Sequence, residues 1–255
     1  MNAIEYWRQQ MSVVTDTSVL TDSASVVLNT AINSPQAAEK NGWYETSFGN
    51  LEWLSEDEIK EKNIQGEYKG TAYMVFRGSR NEHLGRKTKK DGSPFDGVHY
   101  DGYLDAEDAI NAEVRLYAPD GHTYCMVGYT MGSDFATFGA IHEGEYKVNY
   151  VIPGKRGALS SHWALNNGGN VPEMDQRPNN SPQAGAKKGT PYKDGIFIHS
   201  ANASGYAGIT KRSEDGSPLN GVSTGCLLLT REDWNKFNEI MKSVKCFMVK
   251  LNRTK

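Results

Sequence analysis

A cysteine becomes a strong nucleophile when a neighbouring base takes its proton, and a histidine held at the end of a buried strand is the commonest such base. One C-terminal stretch of this chain carries both. Ile196-Phe197-Ile198-His199-Ser200 is an apolar run ending in a histidine, and Ser223-Thr224-Gly225-Cys226 is a glycine-bearing turn ending in a cysteine, followed at once by Leu227-Leu228-Leu229. His199 and Cys226 lie 27 positions apart, so only the fold can bring them together. A free thiol has a pKa of about 8.5, and a histidinium beside it lowers that value by several units to give a nucleophilic ion pair. Gly225 permits a tight turn and leaves room for a substrate carbonyl. The amides of Gly225 and Cys226 suit a developing oxyanion, and Ser223 and Thr224 suit local hydrogen bonds that brace the turn. The residues by themselves also admit another reading, in which Cys226 is a buried structural thiol.

The elements around this pair read as mainly β. From about Asn111 the pattern is steady: Glu113 to Tyr117 alternates polar and apolar, Ala118-Pro119-Asp120-Gly121 is a turn, and His122 to Tyr129 returns as a second strand. Gly144 to Tyr150 alternates again, and Tyr192 to Ile198 leads into the histidine. Thr230, with Asp233 three residues on, caps an expected helix whose Trp234, Phe237, Ile240, Met241 and Val244 recur at helical spacing. Cys246 to Leu251 closes the pattern as a strand. Earlier, Ala24 to Ile32 and Ser55 to Lys62 lean towards helix, the second opening with a capping box, and Gly70 to Arg77 reads as a strand. The long stretch from Pro153 to Pro191 shows no period, as expected of a functional or mobile loop. Asp91-Gly92-Ser93-Pro94 and Asp215-Gly216-Ser217-Pro218 repeat a good turn sequence.

Bulk properties bound the remaining choices. The chain has 255 residues, 38% apolar and 23% charged, with 28 basic against 31 acidic residues. The mean hydropathy is −0.62. A near balance of charge argues against a dedicated nucleic-acid binder, and the run Arg86-Lys87-Thr88-Lys89-Lys90 reads as a solvated loop. No stretch approaches the ~20 apolar residues of a transmembrane segment. Met1 to Gln10 carries Glu5 and lacks an apolar centre, so it is not expected to act as a secretory signal. Three cysteines do not make a disulfide framework or a zinc site, and Cys125 and Cys246 are expected to be buried strand residues. His83, His99, His122 and His142 lack ligand spacing, so no metal site is expected.

The ordered combination Ile198-His199-Ser200, a spacer, Ser223-Thr224-Gly225-Cys226 and Leu227-Leu228-Leu229 resembles the L,D-transpeptidase family with the YkuD-type catalytic domain. The resemblance extends upstream through the Glu113–Tyr129 hairpin and the Ala140–Val148 segment, in which Gly144 and Tyr146 match, and covers about residues 111 to 251. It implies a mainly β (α+β) chain: a β-sandwich catalytic domain with one packed helix at 111–255, preceded by a mixed N-terminal region at 1–110. It implies Cys226 as nucleophile, His199 as general base oriented by the backbone carbonyl of Ser200, and Gly225 with Cys226 as the oxyanion hole. Ser223, Thr224, Trp163 and Tyr146 are the expected substrate contacts. The implied substrates are peptidoglycan stem peptides, with no metal and no organic cofactor. Transfer to another stem gives a cross-link, and transfer to water gives carboxypeptidase activity. The setting includes a toxin against another cell's wall or a phage enzyme. The expected location is the periplasm or cell envelope, with a removed leader or non-classical export, and the cytoplasm if neither applies. The alternative is an inactive peptidoglycan-binding or structural module of the same fold. Three features depart from the family pattern: Thr224 stands where many members have a second histidine, Leu228 stands where Arg or Asn is usual, and Ala207 to Gly221 reads as an inserted hairpin or lid.

Overall fold

The computed structural model describes residues 40–47, 49–62, 66–87, 101–151, 162–174 and 192–254. The helical lean at Ala24 to Ile32, the Asp91 copy of the repeated turn and most of the 153–191 stretch fall outside these residues. Three strands, β1 (Gly42–Thr46), β2 (Leu51–Leu54) and β3 (Gly66–Gly70), make a small sheet, with helix α1 (Glu56–Lys62) between β2 and β3. The α1 capping box forms: Glu58 N–H donates to Ser55 Oγ, while the Ser55 amide and hydroxyl donate to Glu58 Oε2. Next come β4 (Tyr73–Ser79), a short pair β5 (Gly85–Arg86) and β6 (Asp101–Tyr103), and the hairpin β7 (Ala112–Tyr117) and β8 (Thr123–Tyr129). That hairpin turns where expected, with Gly121 at φ +80 and its N–H on the Ala118 carbonyl. A one-turn helix α2 (Phe135–Phe138) precedes β9 (Gly144–Val151), β10 (His162–Leu165) and a short pair, β11 (Val171–Pro172) and β12 (Tyr192–Lys193). The strand β13 (Phe197–Ser200), the hairpin β14 (Ile209–Arg212) and β15 (Pro218–Gly221), then β16 (Leu227–Leu229), helix α3 (Arg231–Ile240) and β17 (Cys246–Thr254) complete the order. No described helix is long and apolar enough to cross a membrane.

The chain is mainly β, and eight strands close into one ring in the order β10-β13-β16-β8-β7-β4-β17-β9. Antiparallel pairing of β9 with β10 seals the ring. The resemblance implies a sandwich; here closure joins the eight strands into a single barrel with no free edge. A boundary at residue 110 does not divide this barrel, because β4 pairs in parallel with β17 and antiparallel with β7. The N-terminal sheet also docks on it: Trp43 donates its indole N–H to the Ala118 carbonyl at 2.9 Å and meets Tyr117 edge-on.

Alternation decides which side chains fill the interior. Phe76, Leu116, Val148, Trp163, Ile198, Leu227, Leu229 and Val249 belong to one buried cluster. The period-two rule also corrects the expectation for two cysteines. Met126 and Phe247 take the inward positions, so Cys125 and Cys246, next to them in sequence, are exposed. Helix α3 starts on its Thr230 cap, which accepts from the Asp233 N–H at 3.2 Å. The helix packs Trp234 and Phe237 onto the cluster, with the Phe237 ring 5.6 Å from Trp163 and 6.1 Å from Phe247. Truncating Phe237 to alanine removes a fully buried aromatic from this junction and is expected to cost about 3–5 kcal/mol in urea-denaturation stability. A loss under about 1 kcal/mol would show that α3 is not fastened there.

Candidate functional site

His199 and Cys226 reach neighbouring positions through one parallel pairing. In β13 and β16, Ile198 lies opposite Leu227, His199 opposite Leu228 and Ser200 opposite Leu229. Cys226 therefore enters beside Phe197, one residue ahead of β16. With strands ~4.8 Å apart and ~3.3 Å of rise per residue, its Cα is about 8 Å from that of His199. Paired residues share a face. Ile198, Leu227 and Leu229 point into the barrel, while Leu228 joins a second cluster outside it with Tyr129, Met131 and Ala207. His199 shares that outer face.

The His199 ring is set by its neighbour, as expected: Nδ1 lies 3.0 Å from the Ser200 carbonyl oxygen. This contact favours a proton on Nδ1 and a lone pair on Nε2, the form that acts as a base. The Ser200 hydroxyl accepts from the Arg231 guanidinium at 3.2 Å, which ties the histidine strand to the start of α3.

The sulfur is enclosed, which matches the reading of Cys226 as a buried thiol and not the open nucleophile that the resemblance implies. Cys226 is 7% exposed and packs with the interior cluster. Its Sγ accepts from the Phe197 N–H at 3.4 Å and lies 4.0 Å from the Gly195 carbonyl oxygen. Sulfur and imidazole are thus brought to adjacent strands, but the hydrogen bonds of Sγ run to the backbone of residues 195–197. Burial pushes the Cys226 thiol above its ordinary range, and the Phe197 N–H and the charge of Lys193 act against that rise. The thiol is consequently neutral at physiological pH. Because the unfolded chain ionises this thiol first, its contribution to stability is complete below the ordinary thiol range and is lost as pH rises from there through the raised folded pKa.

The turn before the cysteine is braced from several sides. The Ser223 hydroxyl donates to the Cys226 carbonyl at 2.9 Å and accepts from the Gly225 N–H at 3.2 Å. The Gly225 amide, expected in an oxyanion hole, is therefore engaged within the turn. Ser133 holds Ser223 from outside, accepting its N–H at 2.8 Å and donating its own N–H to the Ser223 carbonyl at 2.7 Å. The Thr224 carbonyl accepts from the ammonium of buried Lys193 at 2.6 Å.

Two expected substrate contacts belong to the core. Tyr146 pairs with Val249 on the adjacent strand β17, donates its hydroxyl to the His142 carbonyl at 2.6 Å, and has its phenol pushed up to about 12 by burial. Trp163 is 1% exposed, with Nε1 on Asn238 Oδ1, at the floor of a cleft of about 640 Å³ along α3. Neither Cys226 nor His199 lines that cleft. A second cleft, of about 540 Å³, lies on the outer face and is lined by Arg86, Asp108, Tyr129 and Ser133 among others. Tyr129 is the cross-strand partner of Leu228, and Leu228 that of His199, which places this cleft two strands from the histidine; neither His199 nor Cys226 lines it. Sequence reading missed Lys193, Ser133 and Arg231. Lys193 in Tyr192-Lys193-Asp194-Gly195 carries no periodicity that distinguishes it from a solvated lysine. Comparison with family models, with curated proteins and with solved structures finds no match to this chain.

Gly225 has φ +125, and a Cβ built there meets Lys193 Nζ at 3.0 Å and Cε at 3.1 Å. Gly225→Ala is expected to lose about 1–3 kcal/mol through backbone strain, measured by thermal or urea denaturation. Unchanged stability would mean the turn relaxes freely.

Proposed function

We propose that this protein is a cysteine acyltransferase or peptidase of the L,D-transpeptidase kind, acting on peptidoglycan stem peptides. The observation that carries the reading is the parallel pairing that sets the His199 strand beside the turn delivering Cys226, with the His199 ring held by the Ser200 carbonyl. The YkuD-type domain remains the family whose motif order the chain resembles, and the closed barrel with α3 packed on it supplies a rigid frame for that motif.

The chemistry starts from a neutral thiol. A χ1 rotation of Cys226 takes Sγ from the Phe197 amide towards the imidazole, between staggered rotamers. His199 Nε2 accepts the thiol proton, and the thiolate attacks the carbonyl carbon of the third stem residue. A C–S bond forms, and the oxyanion is met by the Cys226 amide, since the Gly225 N–H is committed to Ser223 Oγ. The C–N bond to the terminal D-alanine then breaks, and His199 returns its proton to the leaving amine. An amine from a second stem, or water, attacks the thioester and releases the sulfur. The outer-face cleft beside Tyr129 and Ser133 gives the stem peptide a place to lie, with Glu82, Arg86 and Asp108 in its lining.

One observation favours the alternative, a wall-binding module without turnover: the enclosed sulfur with its raised pKa. Mass spectrometry of muropeptides separates the two readings. Incubation with wild type is expected to remove D-alanine from tetrapeptides or to yield cross-linked products. Cys226→Ala abolishes this, and His199→Ala slows it by about 10²–10⁴-fold. Identical digests for wild type and Cys226→Ala, with muropeptide still bound, would establish the binding module instead.

A further inference from the structure

Lys193 is the buried cation nearest the cysteine turn. Its side chain is 3% exposed, and its ammonium donates to two backbone carbonyls, Thr224 at 2.6 Å and Phe138 at 2.5 Å. The carboxylate of Glu173, also 3% exposed, lies 3.9 Å away. Several short segments converge to make this arrangement. β11 pairs with β12 so that Val171 faces Lys193, Glu173 bridges to Ile141, and the Met174 N–H donates to the Ala140 carbonyl. The lysine stem fills the space above Gly225, where a Cβ would come within 3.2 Å of Cδ.

A trans peptide points its C=O and N–H in opposite directions. Lys193 takes the Thr224 carbonyl on one side, and Ser223 Oγ takes the Gly225 N–H on the other. The Thr224–Gly225 peptide plane, one residue ahead of Cys226, is thus gripped at both ends. A neutral donor would suffice for that grip, and burying an ammonium is costly even with a carboxylate in reach. The charge therefore calls for its own account, and the acyl-transfer reading, on which this inference rests, supplies one. A thiolate forms one residue beyond the gripped peptide and needs a cation in the same low-dielectric surroundings.

We propose that Lys193 is a positioning residue for the Cys226 centre, locking the 224–225 peptide and placing a fixed positive charge beside the sulfur, with Glu173 moderating that charge. The charged group acting on the sulfur is Lys193 from β12; Glu173, after β11, lies 3.9 Å from its ammonium, and His199 stands on the adjacent strand β13. Among the described residues, Lys193 is the charged side chain whose field stabilises the Cys226 thiolate. The assignment gives Glu173 and Lys193 opposite influences on one titration, which loss of packing does not.

The test uses the full chain with Cys125→Ser and Cys246→Ser, so that Cys226 is the only thiol. Thiolate absorbance is followed from neutral to alkaline pH, taking the Cys226→Ser variant of the same background as the blank. Lys193→Met is expected to move the midpoint up by about one unit, a roughly tenfold loss of thiolate at a given pH below it. Lys193→Arg should recover most of the shift, and Glu173→Gln should move the midpoint down. Coincident midpoints for Lys193→Met and the parent, with both folded by circular dichroism, would overturn the proposal. If Lys193→Met does not fold, Glu173→Gln decides, and an unchanged or raised midpoint overturns it. The titration needs no substrate, so Lys193 can fail this test while muropeptide turnover persists, and turnover can fail while the titration responds.

Discussion

The parallel register of β13 against β16 is the constraint from which the site follows. Both strands are covered on both faces, by the barrel interior on one side and the second apolar cluster on the other. A slip of one residue would drive His199 into the interior against Leu227 and Leu229 and turn Ile198 outward. Burial of three consecutive leucines forbids that exchange, so the hydrophobic demand of the sheet sets where the imidazole sits and where the cysteine enters. The chemistry inherits its geometry from packing.

What packing leaves open is the electrical state of the sulfur. Enclosure raises the thiol pKa, while one backbone N–H and one lysine ammonium oppose the rise. In the proposed reaction the site rests as a neutral thiol and ionises when the base is reached. The 224–225 peptide is braced, with Ser133, Ser223 and Lys193 all bonded to the turn, so the proposed reaction assigns the movement to the cysteine side chain.

Local signals in the sequence map onto local structure. Pro119-Asp120-Gly121 makes the β7–β8 turn, Ser55 with Glu58 caps α1, and Thr230 with Asp233 caps α3, because each depends on neighbours within four residues. The inserted hairpin between the histidine and the cysteine forms as β14 and β15. β10 carries no local signal because its four residues lie in a stretch without alternation, and one of its two pairing partners, β13, lies more than thirty residues on. Barrel closure was hidden for the same reason, as was the inclusion of β4, which precedes the stretch that reads as continuous β.

Residue types and spacing alone determined that a histidine strand and a glycine–cysteine turn exist, that the chain is mainly β, and that a capped amphipathic helix follows the cysteine. Those facts are encoded in short-range periodicity and turn chemistry. Only the tertiary structure decided that Cys125 and Cys246 face outward, that Tyr146 and Trp163 serve the core, that the sulfur rests on the 195–197 backbone, and that a buried lysine stands over Gly225. Burial and electric field are sums over neighbours far apart in the chain, and no local pattern records them.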